Sequence, residues 1–462
     1  FDGRENDDTR LYHKLLLQRE GEVYYGTLSR WCEAHGIGLM GHPHQSDDIE
    51  VEKYFAVPGQ DLVLRWLAPE KDGLAGIDST MGKCSADAAR LMHRRRNANE
   101  CFGACNKDDN PWQLSGGDIK WYTDWLAVRG VNLFIPHAFY YSICGKRKDE
   151  RPPDVGPHSI WWVHYEAWST YWRRLSWLMT DIDLHAEVAV LCRNRDLCPD
   201  TVRPLFERQI GFQYIPESYF PACTVEDGAL CLHGHRYTAV LGDKALFPDA
   251  AHPEVSALEP DCRCDPPQPM LRCASFNKEG RACWLLVNEG NTPIKTRLTL
   301  PVDAPLCRCD LWNGQPCACP AEHTAKGACL PLELPARGSL LLFTCTTQET
   351  KILPLPPTYL SLPVPDFILV EEDAARAAKT YRAVLQVAAA DIEAATPLLT
   401  LRGQEMAELT VNGQPAGVSF WQPHKFPLAG LLTPGENTLT LTLTGSPANR
   451  YGKHPVPYGL ER

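Results

Sequence analysis

One stretch, residues 96–142, narrows the possible folds more than any other. It runs Arg96-Asn97-Ala98-Asn99-Glu100-Cys101-Phe102-Gly103, then through a helical segment, to Gly130-Val131-Asn132-Leu133-Phe134-Ile135-Pro136-His137-Ala138-Phe139-Tyr140-Tyr141-Ser142. Two short apolar runs with polar endings, joined by one amphipathic helix, have the grammar of a parallel β-α-β unit. The first run ends in a carboxylate, the second in an imidazole and two phenols. In a β/α barrel, groups at the carboxyl ends of strands line the active site. The pattern points to an enzyme that handles a polar, ring-shaped substrate.

The rest of the chain sets the limits. Its 462 residues leave room for about three domains, and a 44% hydrophobic content supports a large core. A formal net charge of −11 argues against nucleic acid or an anionic membrane as partner, and fits a neutral ligand such as a sugar. No apolar run is long enough to span a bilayer, so no membrane association is expected. Residues 1–10 are too charged for a signal peptide, and a cytoplasmic location is expected. The 19 cysteines read mostly as reduced, small, buried side chains. In Cys262-x-Cys264, Cys307-x-Cys309 and Cys317-x-Cys319 both sulfurs fall on one strand face, which leaves structural thiols, a disulfide or a metal open.

The periodicities predict an α/β plus all-β chain: part of a β/α TIM-type barrel, a small α/β segment and two β-sandwiches, the last a jelly roll. Residues 1–182 read as the C-terminal part of the barrel, 183–265 as the small α/β segment and 266–350 as a sandwich. Residues 351–365 read as a proline-rich linker and 366–462 as the jelly roll. Within 8–35, Leu11, Leu15, Leu16, Val23, Leu28 and Trp31 recur at helical spacing. Residues 37–41 read as a strand ending in Gly41-His42-Pro43-His44. Residues 45–82 read mostly as loop, with Pro58-Gly59-Gln60-Asp61 as a turn. Helix is expected over 83–95, 117–129 and 161–180. The strands counted toward the barrel include 187–191, and its first strands are expected upstream of Phe1.

Glu100 closes an otherwise apolar strand, where partial desolvation suits a carboxylate to acid/base work. Its plain alternative is an ion pair with Arg94, Arg95 or Arg96. His42, His44 and His137 follow strands and could hold sugar hydroxyls, serve structure, or, for His42 and His44, bind a metal. Asp48 could contact hydroxyls or calcium, while Asp47 reads as a helix cap. Trp112, Tyr140, Tyr141, Trp161 and Trp162 crowd the same mouth, where aromatic faces stack on sugar rings or simply fill core.

Gly41-His42-Pro43, Asn99-Glu100-Cys101-Phe102-Gly103 and Arg129-Gly130-Val131-Asn132-Leu133-Phe134-Ile135-Pro136-His137 resemble the glycoside hydrolase family 106 proteins, the α-L-rhamnosidase-like bacterial glycosidases. Asp310-Leu311-Trp312-Asn313-Gly314 and Arg337-Gly338-Ser339 extend the resemblance. Leu409-Thr410-Val411-Asn412-Gly413 and Pro434-Gly435-Glu436-Asn437 resemble a galactose-binding-like jelly roll. The resemblance implies a barrel with accessory β-sandwiches, hydrolysis of an oligosaccharide or glycoside with inversion, and often a calcium ion near the site. It gives Glu100 a catalytic role. The family's other acidic motif has no match here, leaving Asp48, Asp61 and Glu150 as fallback partners. The competing expectations are a non-catalytic carbohydrate-binding protein working through its jelly roll, and a fragment whose barrel needs another polypeptide.

Overall fold

The computed structural model describes residues 6–63, 67, 77–103, 110–149 and 154–461. Three short parallel strands organise the first part: β1 (Gly59–Asp61), β2 (Ala98–Cys101) and β3 (Leu133–Pro136), hydrogen-bonded in that order. Helix Gly116–Ala127 connects β2 to β3, and helix Tyr165–Leu178 follows β3. A helical crossover between adjacent parallel strands is what 96–142 predicts. Among the described residues, the expected barrel is represented by this three-stranded sheet. Residues 37–41 contribute only a parallel bridge, between Met40 and Val57.

Helix Gly116–Ala127 begins at Ser115. The Ser115 hydroxyl accepts from the Asp118 N–H, and the Asp118 carboxylate accepts from the Ser115 N–H. This reciprocal cap satisfies two otherwise orphaned donors. The helix is buried nearly all round rather than on one face, with Trp121 and Trp125 in the core. Its polar residues survive burial by pairing. Lys120 Nζ donates to Asp124 (2.6 Å) and to the Ser339 hydroxyl (3.0 Å), and the Tyr171 hydroxyl donates to Asp124.

Val188–Cys192, expected to count toward the barrel, lies in a different sheet. It pairs in parallel with Phe212–Pro216 on one side and Ala239–Leu241 on the other. Val188, Val190 and Cys192 enter one core cluster, Ala189 and Leu191 another. Both faces of the sheet are covered, so the run is apolar throughout and carries no alternation to read.

The next unit is a sandwich of two antiparallel sheets. One orders Arg263–Asp265, Ile294–Leu300, Gly327–Leu334 and Glu322–Thr324. The other orders Gln315–Cys319, Leu306–Asp310, Ser339–Thr344, Arg281–Asn288, Leu271–Lys278 and Asp183–Leu184. The sandwich therefore draws strands from both ends of 183–265. Trp284, Leu286 and Leu342 point between its sheets. Leu285, Val287 and Leu341 point outward, into the same core as Trp121, Trp168 and Leu175.

The last unit packs Ile368–Asp373, Ala378–Val387, Gly435–Thr444, Met406–Val411 and Gln414–Ser419 against Tyr359–Ser361, Thr396–Leu401 and His424–Pro427. Leu439, Leu441 and Leu443 alternate inward, as the pattern predicts. Asn412 (φ 51°) and Gly413 (φ 79°) make the left-handed pair of a tight hairpin turn. The expected linker is partly structural, because Tyr359–Ser361 pairs in parallel with Thr396–Leu401. Met406 and Phe420 leave this unit and join the central core.

The N-terminal helical run, Asp7–Glu20 through Gly26–Ala34, keeps its predicted apolar positions at the surface. Leu11, Leu15, Leu16, Val23, Leu28 and Trp31 are all exposed, since no described element covers that face. The described cysteines are free thiols, most of them buried or partly so.

Candidate active site

The parallel register places Gln60 beside Asn99 and Asp61 beside Glu100. Strand alternation then separates two layers. Gln60 and Asn99 are fully buried beneath, while Glu100 reaches the surface with about a third of its side chain exposed. Gln60 donates to the Ser46 (2.6 Å) and Met81 (2.7 Å) carbonyls and accepts from the Ser85 N–H and hydroxyl. Asn99 Oδ1 accepts from the Tyr122 hydroxyl at 3.1 Å. Glu52, wholly buried, accepts the Gly59 N–H at 3.0 Å, and burial pushes its carboxyl well above the usual range. The floor of the site is thus a hydrogen-bonded polar layer that fixes where the strand ends lie.

Two imidazoles flank Glu100. His42 Nε2 is 3.5 Å from Glu100 Oε2, and His137 Nε2 is 4.0 Å from Oε1. His42 donates from Nδ1 to the Pro43 carbonyl (2.8 Å), which can only accept; this orients the ring and leaves Nε2 toward the acid. The His137 N–H donates to the Cys101 carbonyl (2.7 Å), extending the β2–β3 pairing by one residue. Left-handed Phe102 (φ 75°) then turns the chain, and Gly103 faces the His137 ring. Tyr140 meets that ring edge-on at 6.3 Å. Asp61 completes the group: His42, Asp61 and Glu100 each offer an atom within 4.8 Å of the others.

The structure therefore brings together Glu100, His42, His137 and Tyr140. The arginine alternative for Glu100 is not realised: Arg95 pairs with Asp181, and Arg96 donates to the Asn132 carbonyl and the Thr180 hydroxyl. Asp48 is buried, and its oxygens are taken by Arg195, Asn194 and the Gln45 N–H, so the expected hydroxyl contact is not available to it. Trp112 is also buried, with its indole N–H on the Lys148 carbonyl and its ring against Tyr451, and it offers no stacking face. Trp161 is likewise core. His44 is exposed, and Tyr141 is 98% exposed. Glu150 lies outside the described residues.

Two further residues shape the site: Asp61, expected only as a fallback partner, and Asp154, which no motif singles out. Asp61 sits in what the sequence presents as a Pro-Gly turn. Buried Asp154 organises the loop carrying Tyr140, accepting the N–H groups of Tyr140, Gly156 and His158 and pairing with the His158 ring. Its signal was a lone acid followed by Val155-Gly156-Pro157, a turn-forming context.

No protein-family model matches the chain, and no curated protein matches it. Among solved structures, a rhamnosidase from Novosphingobium sp. PP1Y is similar at a TM-score of 0.70 and 15% identity, covering 95% of this chain and 52% of that one. The chain thus spans about half the length of that enzyme, and the likeness is one of fold. A beta-galactosidase from Bacillus circulans sp. alkalophilus aligns over 65% of this chain and 62% of that one, at 12% identity and a TM-score of 0.37. The described residues contain no helix long and apolar enough to cross a membrane.

Proposed function

We propose that the chain carries the acid/base half of a glycoside hydrolase site, acting on the terminal sugar of an oligosaccharide or glycoside, with an α-L-rhamnoside as the first substrate to try. The observation that carries this reading is the setting of Glu100. It stands at the carboxyl end of a parallel strand, open to solvent on one side and held between two imidazoles on the other. The fold shared with a rhamnosidase supports it.

In this reading Glu100 protonates the leaving glycosidic oxygen or takes a proton from the attacking water. His42, His137 and Tyr140 hold sugar hydroxyls, and His44 and Tyr141 serve at the outer rim. Asp61 lies beside Glu100 on the neighbouring strand. Its closest approach to Glu100 is within 4.8 Å.

The test is turnover of a nitrophenyl glycoside panel by the chain and by Glu100→Gln. General acid/base catalysis contributes about 10²–10⁴-fold, so the variant should lose at least about 100-fold in kcat/KM with an unchanged circular dichroism spectrum. Equal turnover by both proteins overturns the assignment.

A further inference from the structure

A ring nitrogen of His42, one oxygen of Asp61 and one of Glu100 lie within 4.8 Å of one another, a set of three donors. The His42 Nε2–Glu100 Oε2 separation is 3.5 Å. A zinc-type ion holds imidazole nitrogen and carboxylate oxygen at about 2.0–2.2 Å in a tetrahedral shell, which sets neighbouring donors about 3.4 Å apart. A second, independent feature points the same way. His42 donates its other ring N–H to the Pro43 carbonyl at 2.8 Å. A ligating histidine is characteristically braced in this manner, its lone pair aimed at the ion. Backbone fixes all three positions: Asp61 and Glu100 are register partners on adjacent strands, and Gly41 packs directly on Gly59 to deliver His42.

We infer that His42, Asp61 and Glu100 bind one divalent cation of intermediate softness, such as Zn²⁺ or Co²⁺, with a coordination position left open toward the mouth of the site. The donor set does not fit the calcium ion that the sequence resemblance implies. Calcium takes six to eight oxygen ligands, and this cluster offers two carboxylates and an imidazole. An ion here occupies the Glu100 oxygen needed for proton transfer. If the hydrolase reading holds, the cation is therefore a reversible inhibitor rather than an activator.

The test titrates the full chain, first stripped with chelator, with CoCl₂ while recording the visible absorption of the metal. Zn²⁺ is followed by calorimetry, and CaCl₂ is added as competitor. One cobalt per chain with an intense tetrahedral-type spectrum is expected. Affinity should fall about 10-fold or more in His42→Ala and in Asp61→Asn, each checked for an unchanged thermal transition, and calcium should fail to displace the cobalt. Absence of stoichiometric binding, binding untouched by both substitutions, or displacement by equimolar calcium overturns the inference. None of these readouts uses turnover, so a chain that fails to hydrolyse any glycoside still decides the metal site.

Discussion

Gly59 lies so close to Gly41 that a Cβ on Gly59 would sit 2.4 Å from the Gly41 carbonyl oxygen. This approach places the Gly41-His42-Pro43-His44 segment against β1 and so sets the distance from His42 to Glu100.

Gly59→Ala should therefore act on the site through the backbone. The methyl group has to push the 41–44 segment away, and overpacking of this kind costs about 1–3 kcal/mol. The expected outcome is a lowered thermal midpoint together with weakened cobalt binding, because His42 moves away from the two acids. A Gly59→Ala protein with wild-type cobalt affinity would show that the segment finds its place without this contact.

A second expectation concerns the join between the first unit and the sandwich. Glu289 is fully buried, with Arg129 Nη1 at 2.5 Å and Arg272 Nε at 3.0 Å, and both arginines are buried too. Burial pulls the Arg129 guanidinium below its usual range, and Glu289 works against that shift. Glu289→Ala leaves two buried cations facing each other, and breaking a buried pair costs about 3–5 kcal/mol. Urea unfolding followed by tryptophan fluorescence should show a loss of that size. A midpoint shifted by less than about 1 kcal/mol equivalent would mean that water reaches the arginines.

A third expectation is a pH dependence rooted in the last unit. His424 is buried between the Gly403 carbonyl (2.8 Å) and the Ser419 hydroxyl (2.9 Å), and burial lowers its pKa from 6.5 to about 4. The unfolded chain protonates this histidine first as pH falls. The stability conferred by the neutral ring is complete above about 6.5 and is lost progressively down to about 4. At one pKa unit per 1.36 kcal/mol, the loss amounts to about 3 kcal/mol. His424→Gln should flatten the stability profile over that interval, as measured by urea midpoints across the range. A variant with the same acid slope as wild type would place the titration elsewhere.

Several parts of this architecture were legible in the residues. The unit spanning β2, Gly116–Ala127 and β3 announces itself through two apolar runs with a helical segment between them, although the cap at Ser115 was not marked. The left-handed pairs Asp227-Gly228 and Asn412-Gly413 mark their hairpins. Glu100 and His137 could be paired because each closes a strand of that unit. β1 could not be read, because a three-residue strand that follows Pro58 and begins with Gly59 carries a turn signature. Asp61 was consequently undervalued. Asp48 was misread for a different reason: its partner, Arg195, is 147 positions away in sequence, and nothing local reveals a long-range ion pair. Trp112 shows the same limit, since stacking on a ligand and packing on Tyr451 require the same kind of residue.

The aromatic group around Trp168 has contributors from distant parts of the chain: Trp161 and Trp172 beside it, Trp312 from the sandwich, Phe420 and Trp421 from the last unit. The backbone carbonyl of Phe420 also abuts Gly116, where a methyl group would approach to 2.1 Å. The C-terminal unit is thus a keystone rather than a detachable bead. Trimming the chain at the proline-rich stretch would wet several indole rings at once, so recombination between relatives at that seam should yield insoluble hybrids unless both sides of the indole cluster are inherited together.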